Sequence, residues 1–189
     1  NNGQDLLMIT LSLAALSAAI DGELMNPDQH QNTNISNILI DSRLLQAGDV
    51  FLALKGDNFD GHAFIDQVIK KGGGAIIVEQ QIKESIVGDT AQIIVKNSHT
   101  ALGKIGAYIK AQVAPKTVGI TGSSGKTTVK EMVAAILSRL GKVLATNGNF
   151  NNDIGVPLTL LRLTPEHEFA VIEMGANHQG EIAYSTHLV

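Results

Sequence analysis

The sequence contains no cysteine, which excludes disulfides, thiolate metal sites and a cysteine nucleophile. It also lacks an excess of positive charge: 14 Lys and Arg stand against 18 Asp and Glu, a formal charge of -4. With no long Lys/Arg tract, neither nucleic acid nor an anionic membrane surface finds an electrostatic footprint. No apolar run is long enough to cross a bilayer; residues 8–20 form a short one, too short to span. Its flank, Asn1-Asn2-Gly3-Gln4-Asp5, carries none of the positive charge that a signal peptide needs. Internal repeats and low-complexity tracts are missing too. These absences leave the expectation of a soluble, cytoplasmic protein with no nucleic-acid partner and no membrane insertion.

What is present has an ordinary globular balance, 44% apolar and 17% charged, enough for a real core. A length of 189 residues fits one full domain and part of another. Leu13, Leu16 and Ile20 recur at helical spacing, with Thr10 placed as N-cap and Gly22 as stop. Short strands are predicted at 35–40 and 50–54, separated by Asp41-Ser42-Arg43 and a Gly48-Asp49 turn signal. A helix at 63–71 carries Phe64, Val68 and Lys71 on one face and stops at Gly72-Gly73-Gly74. Buried strands follow at 75–78 and 93–95, then a helix at 100–113. Residues 80–90 carry no assignable pattern. Pro115 marks a linker, which sets the expected domains at 1–114 and 115–189.

The second part alternates strand and helix: a β-branched strand at 117–121, a Gly-rich turn, and a helix to residue 140. Val129, Val133, Ile136, Leu137 and Leu140 keep helical spacing along a face expected to be buried. Strands at 143–145 and 169–174 flank a short helix at 155–163. Such alternation implies an α/β fold with parallel strands and helices on the faces. Only about three strands are visible where a sheet commonly has about five or six. The chain therefore reads as the front of a longer protein, with a free edge on its last strand as the expected mark.

The turn carries the chemistry. Gly122-Ser123-Ser124-Gly125-Lys126-Thr127-Thr128 joins a strand to a helix, so several backbone N–H groups aim at one point. Gly122 and Gly125 permit a close approach that a Cβ would block. Lys126 supplies a point charge for the β- and γ-phosphates of ATP, and Thr127 a hydroxyl for Mg²⁺. The longer common loop would need glycine at position 120, which is Ile120; this is the shorter Gly-x-x-Gly-Lys-Thr form. Glu173 ends a strand on the edge where ligands of parallel sheets gather, and its oxygens suit a hard ion such as Mg²⁺. Asn147, Asn149, Asn151, Asn152 and Asp153 follow the middle strand at that same edge. They are placed either to contact nucleotide or substrate, or to satisfy an irregular loop.

With these segments in hand, the chain resembles the Mur ligases of bacterial cell-wall synthesis. The resemblance rests on residues 121–132 around the loop, on 148–163 with Asn151-Asn152-Asp153-Ile154-Gly155-Val156-Pro157, and on 172–182. In the first part, Asp41-Ser42-Arg43, residues 48–56 and Asp60-Gly61-His62 look like the family's amino-terminal UDP-binding domain. The implied fold is a small α/β UDP-binding domain followed by a truncated parallel-sheet central domain with the phosphate loop.

The resemblance implies roles residue by residue. Gly122, Ser123, Ser124, Gly125, Lys126, Thr127 and Thr128 would hold ATP. Thr127 and Glu173 would bind Mg²⁺, and Lys126 and Glu173 would be catalytic. Ser42 and Arg43 would lie near the uridine diphosphate, with Asn149, Asn152 and Asp153 near the substrate. His62 reads as a turn histidine or a uridine contact, and His178 as a packing residue or a ligand. The implied reaction joins D-alanyl-D-alanine to UDP-N-acetylmuramoyl-tripeptide in an ATP-driven, acyl-phosphate ligation by a monomer. Further family parts, a later metal-binding histidine, a carbamylated lysine and a closing domain, lie outside these 189 residues, so the segment alone is expected not to turn over. Another ligase of the group, adding the third residue or polyglutamylating folate, would keep the loop and change the acceptor. A conventional phosphate-loop kinase would need the longer loop, and a non-catalytic nucleotide-binding module is the remaining alternative.

Overall fold

The computed structural model describes residues 9–35, 37–148, 150–175 and 187–189. The chain divides into two compact units, one of Thr10–Leu102 and one built on Gly103–Val189. The first contains β1 (Leu11–Ser12), α1 (Leu13–Ala19), β2 (Glu23–Leu24), α2 (Pro27–His30), β3 (Asn34–Ile35), β4 (Ile38–Leu39) and β5 (Val50–Leu52). A 3-10 turn at Gly61–Phe64 leads into α3 (Ile65–Lys70), followed by β6 (Ala75–Val78), α4 (Glu84–Val87) and β7 (Ala91–Ile94). The helix α5 (Ser98–Val113) begins in this unit and ends in the next.

Five strands form one sheet in the order β2-β7-β6-β5-β4. The last four named are mutually parallel, and β2 adds antiparallel at the β7 edge. All four residues of β6 are fully buried, as a central parallel strand covered on both faces requires. Phe51, Ala53, Ile76 and Val78 pack with Ile65 and Val68 of α3, Leu45 and Val87. The predicted face through Phe64 is corrected: Ile65 and Val68 are the buried residues of α3. Phe64 is instead exposed and stacks on Phe59, with ring centroids 5.8 Å apart.

The start of the chain differs from expectation as well. Leu11 and Ser12 pair with Ile35 and Asn34 in a two-stranded ribbon, so the helix begins later, at Leu13. Its N-cap is Ser12, whose Oγ accepts from the Ala15 N–H at 3.1 Å, and not Thr10. Leu13, Leu16 and Ile20 are buried as their spacing predicted. The unassigned 80–90 stretch holds α4, and it is tied down by the buried Gln92. That amide donates to the Ile82 carbonyl and accepts from its N–H, both at 2.9 Å.

The second unit adds β8 (Lys116–Ile120), α6 (Lys126–Leu137), β9 (Val143–Ala145), α7 (Gly155–Leu160) and β10 (Phe169–Glu173). Its three strands are parallel in the order β8-β10-β9. The last strand is thus central, and the free edges among the described residues belong to β8 and β9. The crossover through α6 leaves a gap beside β8 that β10 fills, which is why Ala170, Val171 and Ile172 are fully buried. On α7, Val156 and Leu160 are fully buried. A Cβ on Gly106 of α5 would stand 3.2 Å from the Cα of Pro157, so glycine sets the approach of these two helices.

One expectation fails here. Of the predicted stripe, Val129, Ile136 and Leu140 are 47%, 63% and 69% exposed, while Val133 and Leu137 are only half-buried, so the stripe as a whole is not buried. Among the described residues of α6, Lys130 is the one that is buried.

Candidate functional site

Strand β8 ends at Ile120, which pairs in register with Glu173 of β10. The parallel register therefore brings the last residue of the central strand beside the entrance to the Gly-rich turn. In that turn Gly122 has φ 149° and Gly125 φ 77°; the latter lies in the left-handed region that glycine enters without strain. Gly125 is the N-cap of α6 and offers no side-chain acceptor. Among the described residues, no acceptor closes on the backbone N–H groups from Ser123 to Thr128. The first such intrahelical bond runs from Val129 N–H to the Gly125 carbonyl, at 3.1 Å. A fan of unpaired amides at a helix start, in a field that favours anions, is suited to hold an anion such as a phosphate. The Lys126 ammonium folds back to donate to the Gly122 carbonyl at 2.7 Å, so it already lies over the turn.

Glu173 is 2% exposed. Its backbone N–H donates to the Thr146 hydroxyl at 2.9 Å. Thr127 donates its hydroxyl to Oε2 at 3.3 Å, and Asn151 donates its amide to Oε1 at 3.0 Å. The carboxylate thus faces a hydroxyl of the phosphate helix, a donor set of hard oxygens that fits Mg²⁺. Thr127 and Glu173 are the residues that would hold it, and there it would offset phosphate charge. Asn151 anchors the Asn-rich segment to this carboxylate, and its carbonyl accepts from Gly175 N–H at 2.5 Å. Beneath the site, Lys130 is 2% exposed. It donates to the Thr146 carbonyl at 2.7 Å and stands 4.0 Å from Glu173 Oε2.

The other predicted residues divide. Asn152 is exposed, and its Oδ1 accepts from the N–H of Gly155, the first residue of α7, at 2.7 Å. Asp153 is exposed. Asn149 and His178 lie outside the described residues. Asn147 and Phe150, with Leu158, Thr159 and Arg162, line an open cavity of about 130 Å³.

In the first unit, Ser42 is buried and donates its hydroxyl to Gln67 Oε1 at 3.1 Å. Lys71 donates to the carbonyls of Ser42 and Arg43 at 2.8 and 2.9 Å, which fixes the turn. Arg43 folds onto Asp41 with contacts of 3.0 and 2.8 Å. The Arg43 side-chain hydrogen bonds hold the Asp41 carboxyl at about 2, helped by the Arg43 N–H. His62 has both ring nitrogens engaged: Nδ1 lies 2.6 Å from Asp60, and Nε2 accepts from Glu79 N–H at 3.0 Å. The Asp60 carboxyl is lowered first by the backbone N–H of His62 and then by its ring.

Sequence reasoning named Thr127 and Glu173 and missed Lys130 and Thr146, and it did not single Asn151 out of its Asn-rich run. A lysine on the inner face of a helix that opens with Lys126 was the available signal, since burying an ammonium needs a reason.

Fold and site together define an α/β protein with a short Gly-rich strand-to-helix turn facing a strand-end carboxylate. Residues 34–110 match the model of the Mur ligase family catalytic domain, and residues 120–189 that of the Mur ligase middle domain. The chain belongs to the Mur ligase family. It is 49% identical, over 96% of its length, to UDP-N-acetylmuramoyl-tripeptide--D-alanyl-D-alanine ligase of Escherichia coli, and spans 38% of that relative. A crystal structure of MurF from Acinetobacter baumannii superposes with a TM-score of 0.89 at 48% identity, covering 96% of this chain and 39% of that one. MurF ligase from Thermotoga maritima, in complex with ADP, gives 0.73 at 36% identity over 81% of this chain and 35% of its own. The chain thus spans about two fifths of the length of the relatives it matches.

Proposed function

We propose that this chain is the amino-terminal part of an ATP-dependent ligase that joins D-alanyl-D-alanine to UDP-N-acetylmuramoyl-tripeptide. The observation that carries the reading is the juxtaposition of unpaired loop amides with the Thr127–Glu173 pair. It supports a site for a nucleotide phosphate and a divalent cation on one sheet edge. The names of the relatives supply the acceptor and donor. No helix among the described residues is long and apolar enough to cross a membrane, and the cytoplasm is the proposed location, with a monomer as the working state.

In this reading, a carboxylate oxygen of the tripeptide attacks the γ-phosphorus of ATP and ADP leaves, giving an acyl phosphate. The amine of D-alanyl-D-alanine then attacks the acyl carbon, phosphate leaves, and a proton is lost from nitrogen. Positioning and charge neutralisation supply most of the catalysis of such a transfer. The amides of Ser123 to Thr128 grip phosphate oxygens, and Lys126 swings from the Gly122 carbonyl to the transferring group. Gly122 and Gly125 keep the loop open to close approach. Thr127 and Glu173 would hold Mg²⁺, which when bound would supply positive charge to offset that of the phosphates. Ser42 and Arg43 would contact the uridine diphosphate, and Asn149, Asn152 and Asp153 would contact the substrate. Asn152 would serve there chiefly through its amide nitrogen, because its oxygen already accepts from the Gly155 N–H. The functional boundary is proposed at the Pro115 linker.

The test is phosphate release by the full-length protein given UDP-N-acetylmuramoyl-tripeptide, ATP, Mg²⁺ and a panel of amines. Release that requires D-alanyl-D-alanine is expected. Release with a different amine would reassign the acceptor within the family, and amine-independent hydrolysis would contradict the reading.

A further inference from the structure

Among the described residues of α6, Lys130 alone is buried. The side chain that this helix turns to the sheet interior is therefore an ammonium rather than a hydrocarbon. Removing such a group from water is costly, and a well-packed apolar residue in its place is commonly neutral or stabilising. Packing does not call for the charge. Its position indicates what does. Lys130 donates to the Thr146 carbonyl at 2.7 Å and meets the exposed Glu131 at 3.2 Å. It stands 4.0 Å from Oε2 of Glu173, outside hydrogen-bonding distance. That same oxygen faces the Thr127 hydroxyl at 3.3 Å. Any cation held between Thr127 and Glu173 must therefore share its carboxylate with a fixed, desolvated ammonium.

We propose that Lys130 makes divalent-cation binding at Glu173 conditional on the nucleotide. Alone, the ion meets a carboxylate whose charge is already offset, and like charges at this range repel strongly where water is excluded. With a polyphosphate in the loop, added negative charge restores the attraction, so ion and nucleotide enter as one unit. By reciprocity the ion raises nucleotide affinity by the same factor. The inference rests on the proposed nucleotide site. It assigns Lys130 a positioning role, exerted through Glu173 and not on substrate.

The experiment titrates Mn²⁺ into full-length protein with and without ADP, reading free Mn²⁺ by its paramagnetic resonance signal. The wild type is expected to bind Mn²⁺ at least about tenfold more tightly with ADP than without it. Lys130→Met and Lys130→Gln are expected to bind Mn²⁺ alone about tenfold more tightly than wild type, while Lys130→Arg keeps the wild-type affinity. A merely structural lysine gives the opposite sign, since loosening the site weakens the metal in every state. Mn²⁺-alone affinity unchanged or weakened in both uncharged variants overturns the proposal. Should those variants fail to fold, equal Mn²⁺ affinity with and without ADP in the wild type overturns it equally. A wild type that binds ADP in neither condition sinks the nucleotide-site reading itself, and the role of Lys130 with it.

Discussion

The hydroxyl of Thr127 lies 3.3 Å from Oε2 of Glu173 across 46 residues of sequence. One group belongs to the first turn of the phosphate helix and the other to the end of the central strand. Removing either should abolish the oxygen pair. Thr127→Ala and Glu173→Gln are each expected to slow phosphate release at least about a hundredfold, the scale for losing a key charge-stabilising group. Rates within a few-fold of wild type, in protein with an unchanged circular dichroism spectrum, would remove these residues from the site.

Gly125 caps α6 at φ 77°, and an added Cβ would meet nothing within 4 Å. Gly125→Ala thus tests backbone conformation without a clash. It is expected to cost about 1 kcal/mol in denaturant unfolding and to weaken ADP binding measured by calorimetry. Stability and affinity both at wild-type level would show that the left-handed conformation is not needed.

The Oδ1 of Asn152 accepts from the N–H of Gly155, the first residue of α7, at 2.7 Å. Asn152→Ala should destabilise the protein by about 1 kcal/mol, and Asn152→Asp, which keeps the acceptor, by a few tenths at most. Urea midpoints for the three proteins decide it. Equal losses for both variants would mean that the amide nitrogen, and not the accepting oxygen, carries the effect.

The Asp41 carboxyl is held at about 2, against an ordinary 3.8, chiefly by the Arg43 side chain. A depressed carboxylate stabilises the fold above its ordinary range, and the contribution fades as pH falls from 3.8 through about 2. Carbon NMR of the Asp41 carboxyl should show its midpoint near the lower value. In Arg43→Ala the midpoint should return toward the ordinary one. An unshifted midpoint in the variant would assign the effect elsewhere.

Much of the fold was legible because local pattern and tertiary role agree. Residues 75–78 read as a buried strand from an all-apolar run after three glycines, and the structure places them mid-sheet. The turn at Gly122 to Lys126 read correctly as strand-to-helix from its glycines and the β-branched residues before it. Other features depend on partners that no local pattern encodes. Ser12 displaced Thr10 as the cap because Leu11 and Ser12 pair with β3, which lies farther along the chain. The period of Val129, Ile136 and Leu140 identified an apolar stripe but not what covers it, since periodicity describes one surface only. Asn151 and Lys130 reach Glu173 only through the parallel register and the helix crossing. Their roles become visible when three elements meet at the Thr146 and Glu173 backbone.

The most direct measurement follows the oxygen of the tripeptide carboxylate. With that group labelled with heavy oxygen, full-length protein, ATP and D-alanyl-D-alanine should release inorganic phosphate carrying one labelled atom, because the acyl phosphate breaks at its carbon–oxygen bond. Unlabelled phosphate formed alongside ligated product would contradict activation of the carboxylate at this site.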